Sequence, residues 1–152
     1  MNVLLNELHA YHHEVAGKIN RIKALLKKLK YESASGDDCK LLFKMLESLH
    51  GETEQHHHEN EELIRRALLT TEAPIHPRVK DIERDHEAFG RIAGQLKMLE
   101  DSTQETSAIV AAVDNFIMKY YNHMEAEENI FFPMADKWLS DIQWNEIKCH
   151  WH

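Results

Sequence analysis

The sequence predicts an all-α fold, an antiparallel up-down-up-down four-helix bundle with a short C-terminal helix. Three observations carry this expectation. Glycine and proline number only 5 and 3 among 152 residues, too few for a chain folded around many turns. Apolar residues recur at steps of three and four, and no useful length alternates with the period of two that a strand needs. Turn-forming residues collect in three places only, Glu32–Asp38, Thr70–Pro77 and Asp101–Gln104. Short connections between long helices make sequence neighbours antiparallel.

The elements follow in order. Segment 2–31 carries the seam Leu5, Leu8, His12, Val15, Ile19, Ile22, Leu26 and Leu29. Segment 38–70 is read as one helix, with Phe43, Leu46, Ile64 and Leu68 on its apolar face. Segment 77–101 repeats the spacing in Val79, Ile82, His86, Phe89, Ala93 and Leu96. Segment 104–137 does so in Val113, Phe116, Tyr120, His123, Glu127, Ile130 and Met134. Pro133 cannot donate to the carbonyl of Asn129 and is expected to bend the end of this helix. Ser140, followed by Asp141, is an N-cap for the short fifth helix.

Composition narrows the function classes. Apolar residues at 43% and charged residues at 29% are globular values. A chain of 152 residues makes one domain, 1–152, that buries a core without disulfide staples. The formal charge of −8 argues against nucleic-acid and anionic-membrane partners, both of which need a basic surface. Cys39 and Cys149 form no framework, which fits a reducing compartment. Met1 to Gly17 shows no signal-peptide pattern, and the longest apolar run, Ala108 to Val113, is far too short to span a membrane. A soluble cytoplasmic protein is expected.

The unusual count is twelve histidines, and several interrupt the apolar seams. A single core histidine is ordinarily a hydrogen-bonded structural residue. A core glutamate is harder to accommodate, because a buried carboxylate needs a cation or a proton. Glu127 is such a residue, and no Lys or Arg shares the core lines of the first, third or fourth segments. In the second segment His56-His57-His58-Glu59-Asn60-Glu61-Glu62 allows three registers. His58 with Glu62 falls on the face of Gly51, Gln55 and Arg65, which reads as solvated. His56 has Asn60 four residues on. Only His57 with Glu61 combines an apolar seam with a carboxylate.

That register is repeated. His57-x-x-x-Glu61-Glu62-x-Ile64 matches His123-x-x-x-Glu127-Glu128-x-Ile130, and His12-x-x-Val15 matches His86-x-x-Phe89. Residues four apart share a helix face, so each pair presents a nitrogen and an oxygen inward. Counted from the helix ends, His12, His57, His86 and His123 sit roughly 14–21 Å from one end of an antiparallel bundle. Four imidazoles and two carboxylates therefore converge at one depth. That donor set is too large for one tetrahedral zinc and suits two first-row ions with open positions, iron above manganese or zinc.

With these residues in hand, the chain resembles the hemerythrin-like (HHE cation-binding) family over essentially its whole length. The run from His123 through Glu128-Asn129-Ile130-Phe131-Phe132 to Pro133 is the most specific part. The resemblance implies a left-handed four-helix bundle holding a carboxylate-bridged non-haem diiron centre on His12, His57, Glu61, His86, His123 and Glu127. It also implies reversible binding or sensing of a small ligand such as O2 or NO, or a part in handling and repairing iron centres. A metal- and ligand-binding protein is expected ahead of an enzyme. The oxygen carriers of the family have a His-x-x-x-His pair in the third helix, whereas Ile82 stands four before His86 here, which argues against dedicated O2 storage. His9, His13, His56 and His58 read as surface, Tyr120 as packing, and the terminal Cys149-His150-Trp151-His152 as a mobile tail. Two other readings stay open. A ferritin-like diiron oxidase would use Glu54-x-x-His57 and Glu83-x-x-His86, and a zinc-binding or metal-free helical module would serve interaction.

Overall fold

The computed structural model describes residues 1–31, 36–102 and 105–152. The expected turn residues Glu32 to Ser35 and Thr103-Gln104 lie outside the described residues. The elements are α1 Val3–Tyr31, α2 Gly36–Glu47, α3 Glu52–Leu69, α4 Pro77–Lys80, α5 Ile82–Glu100 and α6 Thr106–Ala126. A π-helical turn, Glu127–Phe131, then leads into α7 Phe132–Trp138 and α8 Asp141–Cys149. No strand occurs among the described residues. The protein is all-helical, and none of its described helices is long and apolar enough to cross a membrane.

The first seam holds without change: all eight of its residues in α1, His12 included, are buried. Two long-range contacts orient α1. The Asn2 amide donates to Asp136 beyond the π-turn at 3.0 Å, and Lys30 pairs with Asp114 near the start of α6 at 2.7 Å. The beginning of α1 thus meets the end of the fourth segment, and its end meets that segment's beginning.

Three expectations need correction. The second segment is two helices, not one. The chain breaks at residues 48–51, where Leu49 and His50 donate to carbonyls only three residues back, at 3.0 Å each. Buried Leu49 anchors this break, so the apolar pattern runs through it and conceals it. The third segment begins with the short α4, capped by the His76 imidazole, which accepts from the Arg78 amide at 3.1 Å. Asp81 then separates α4 from α5. In the fourth segment the Phe132 amide reaches back five residues to Glu127. That extra residue rotates everything beyond it, so Phe131 and Ala135 are buried in place of the expected Ile130 and Met134.

The C-terminal helix starts as expected. Ser140 accepts from the Gln143 amide at 3.2 Å, and Gln143 returns a bond to the Ser140 amide at 2.9 Å, a complete capping box. The segment after it is docked rather than loose. Trp151 donates to Glu7 at 2.9 Å, and the His152 amide donates to buried Asn60 at 2.9 Å.

Buried apolar residues fall into two clusters. One joins the second half of α1 with α2, α5 and α6. The other joins the first turns of α1 with the end of α3, α4, α7 and α8. Between them lies a polar layer.

Candidate metal centre

Four helices and the π-turn contribute to the layer through the spacing already described. His12 comes from α1, His57 and Glu61 from adjacent turns of α3, His86 from α5 and His123 from α6. Glu127 opens the π-turn, so it still stands four residues after His123 on the same face. The structure brings all six residues together. Glu61 and Glu127 are 0% exposed.

Glu61 lies at the middle. Its Oε1 is 3.3 Å from His57 Nε2 and 3.3 Å from His86 Nε2, while its Oε2 is 3.8 Å from His12 Nε2. Glu127 Oε1 is 2.6 Å from His123 Nε2 and 3.7 Å from His12 Nε2. The layer divides into two donor groups whose atoms lie within 4.8 Å of one another. One is His12, His57 and Glu61, and the other is His58, Glu61, His86 and His123. Glu61 belongs to both.

The layer is short of hydrogen-bond partners. Both oxygens of Glu61, both oxygens of Glu127, Nε2 of His86 and Nε2 of His123 are buried with none among the described residues. Buried groups are ordinarily paired, and an orphaned buried carboxylate is strongly unfavourable. Imidazole nitrogens and carboxylate oxygens aimed at a common space are the donor set of a first-row cation. The residues present fit one.

Carboxylates behind the imidazoles orient them. His12 Nδ1 is 2.7 Å from Glu128, His123 Nδ1 is 3.0 Å from Asp85, and His86 Nδ1 is 3.5 Å from Glu62. Such partners fix the tautomer and turn Nε2 toward a metal. Arg65 in turn holds Glu62 at 2.8 Å and Glu83 at 2.7 Å.

Electrostatics separates the histidines. Burial pushes the His123 imidazole down to about 4, against the pull of Asp85, so it stays neutral. Burial also opposes charge on His86, but Glu61 and Glu62 outweigh it and raise the imidazole to about 9. Burial works against the Glu61 carboxylate as well, yet His57 and His86 hold it well below the usual range.

The structure also draws in residues the sequence left out. His58 was expected on a solvated face with Glu62 and Arg65, but all three are largely buried. The His58 ring stacks on His86 with centroids 3.9 Å apart, because α5 packs against that face. Glu54 is buried one turn before His58. It accepts hydrogen bonds from the Tyr11 and Tyr120 hydroxyls and lies 2.8 Å from His58 Nε2. Tyr120 therefore does more than pack. Burial would raise the Glu54 carboxyl, but His58 and the two hydroxyls hold it at about 2. Glu83, the other acid of the ferritin-like spacing, is half exposed and turned to Arg65 instead. His9 and His13 stay at the surface, His9 pairing with Glu128 at 2.8 Å. His56 stacks on His152, centroids 5.2 Å apart, outside the layer.

A helical bundle that gathers imidazoles and orphaned carboxylates into one buried layer is built as a metal-binding module. The chain belongs to the hemerythrin HHE cation binding domain family, whose model matches residues 3–135. Comparison with curated proteins and with solved structures returns no match.

Proposed function

We propose that the layer is a non-haem diiron centre within a single domain, 1–152, built as an antiparallel up-down-up-down four-helix bundle. His12 and His57 would hold one ion and His86 and His123 the other, with Glu61 and Glu127 shared between them. The observation that carries this reading is Glu61, a fully buried carboxylate with neither oxygen hydrogen-bonded among the described residues, common to two donor groups. One ion would satisfy one group and leave the other orphaned.

Bound there, two iron ions would supply reversible one-electron chemistry and open positions for a small ligand such as O2 or NO. The protein's own residues supply the rest. Asp85, Glu62 and Glu128 orient imidazoles, Phe132 stacks on His12 with centroids 5.5 Å apart, and Phe89 packs edge-on to His123 at 5.1 Å. These aromatic walls set apolar surface against the imidazoles and favour a small, weakly polar ligand. The role is binding or sensing of such a ligand, or iron handling.

Metal analysis combined with optical and Mössbauer spectroscopy tests the centre. Two irons per chain, magnetically coupled and absorbing in the near ultraviolet when oxidised, are expected. One tightly held zinc with a featureless spectrum overturns the diiron reading and favours the zinc-binding module. Adding O2 or NO to the reduced protein then separates reversible binding from turnover, the latter being the outcome a diiron oxidase gives.

A further inference from the structure

A cavity of about 590 Å³ lies between α3 and α5 and reaches the layer at His86. Its α3 wall carries a ladder of residues four apart, Glu54, His58 and Glu62, with His50 of the preceding break above them. A four-residue step is about one turn, so these side chains succeed one another along a single face. The ladder begins just past the break before α3, which brings His50 to the cavity. It ends beside His86, against which His58 is stacked.

The wall is equipped for a cation. Nε2 of His50 is buried without a hydrogen-bond partner among the described residues, Nε2 of His58 faces Glu54 Oε1 at 2.8 Å, and Oε1 of Glu62 lies 3.5 Å from His86 Nδ1. Glu54 is fixed from behind by the Tyr11 and Tyr120 hydroxyls. Three carboxylates, Glu54, Glu59 and Glu62, line the cavity, while Arg66 is its one Lys or Arg. A recess lined with negative charge concentrates cations by focusing the field. Imidazole nitrogens beside carboxylates then replace the water of a first-row ion.

On the opposite side a second opening, of about 500 Å³, is occupied by its own ion pairs. There a surface depression reaches His12 past His9, His13 and Glu128. Glu128 holds His9 at 2.8 Å and His12 at 2.7 Å, and His13 leans on His9 at 3.1 Å.

We propose that the α3–α5 cavity is the loading port of the metal centre, and that Glu54 with His58 forms a station where a divalent cation pauses before entering the layer. The inference rests on the metal-centre reading above and adds a route and a second, transient site to it. No bond is made or broken beyond exchange of the ion's water for protein donors, and no redox step is involved.

Plugging the cavity tests this. Gly90 and Ala93 stand on its α5 wall, and a Cβ built at Gly90 meets nothing within 4 Å. Leucine there enters open space and replaces a glycine inside a helix, which favours folding. Metal-free protein is mixed with Co²⁺ alone, and uptake is followed by stopped-flow absorbance, with release measured in excess chelator. Gly90→Leu and Ala93→Leu should each slow both processes at least tenfold while the final Co²⁺ content stays at the wild-type value. Glu54→Gln should slow uptake with the same final content, because the amide oxygen still accepts from one tyrosine hydroxyl and its NH2 can donate to the other, while the charge that attracts the ion is gone. Ala16→Leu, in the opposite depression, should leave the rates unchanged. Wild-type rates in both plugged variants, or slowing by Ala16→Leu instead, overturn the port. Wild-type protein that takes up no Co²⁺ overturns the metal-centre reading beneath it.

Discussion

Both oxygens of Glu61 are buried without a hydrogen bond among the described residues, and they face imidazoles from α1, α3 and α5. Removing that carboxylate takes a shared donor from both groups, so Glu61→Ala should release all bound metal, measured by elemental analysis after gel filtration. Retention of one ion would mean the two positions do not share it. Glu62 acts one step back, through His86 and Arg65. Glu62→Ala should therefore keep the metal content and weaken affinity by roughly 10- to 100-fold, the usual cost of losing an orienting partner. The pH dependence has a definite sign. His86 is raised from 6.5 to about 9, so its protonation stabilises the metal-free protein below about pH 6.5, and that stabilisation is lost as pH rises through about 9. Metal must displace this proton, so apparent affinity should fall about tenfold per unit as pH drops from 8 to 6. Calorimetry in buffers of different ionisation enthalpy counts the protons released. An affinity independent of pH over that range would show that His86 is not displaced.

Among the elements, the π-turn makes the most specific prediction. A straight helix would carry Ile130 and Met134 into the seam, whereas one added residue places Phe131, Phe132 and Ala135 there. Deleting exposed Asn129 should convert the π-turn to regular helix and leave these three residues buried. The variant should unfold cooperatively and keep the Phe132–His12 stack, seen as ring-to-ring NOEs. A collapsed or non-cooperative protein would show that the turn itself is required. This element also marks where sequence reading stops. The α1 seam was legible because periodicity decides most of what is buried there: all eight expected residues are buried, and only Leu4 and Leu25 beside them were not foreseen. The paired His-x-x-x-Glu motif was legible because one glutamate on an apolar line has no inexpensive alternative. The π-turn was not, because either register offers apolar residues, and Pro133 signalled only that something bends. Asp85 was missed, and Glu62, Glu128 and Glu54 were read without the roles the structure gives them, for a related reason. Acidic residues beside a seam look solvated until a neighbouring helix covers them, and the partners of Glu54 come from α1 and α6.

At the scale of the whole molecule, the layer separates two apolar clusters, one holding α2 and the other α8. Without a cation, two fully buried carboxylates stand between them, stabilised only by histidine protons. A bound ion replaces those protons with direct links among α1, α3, α5 and α6, so metal should make the two clusters unfold as one. An ion binding only the folded protein, at a hundredfold excess over its dissociation constant, contributes about 2.7 kcal/mol. For a chain of this size that corresponds to roughly 5–10 °C in the melting midpoint per ion. Chelation should therefore lower the midpoint by at least that much and broaden the transition. Amide exchange should rise most in α3 and the π-turn, which carry the carboxylates, and least in the middle of α1, which spans both clusters. A midpoint and exchange pattern unchanged by chelation would mean that the two clusters hold each other without the layer, and that the buried carboxylates are compensated by the protein alone.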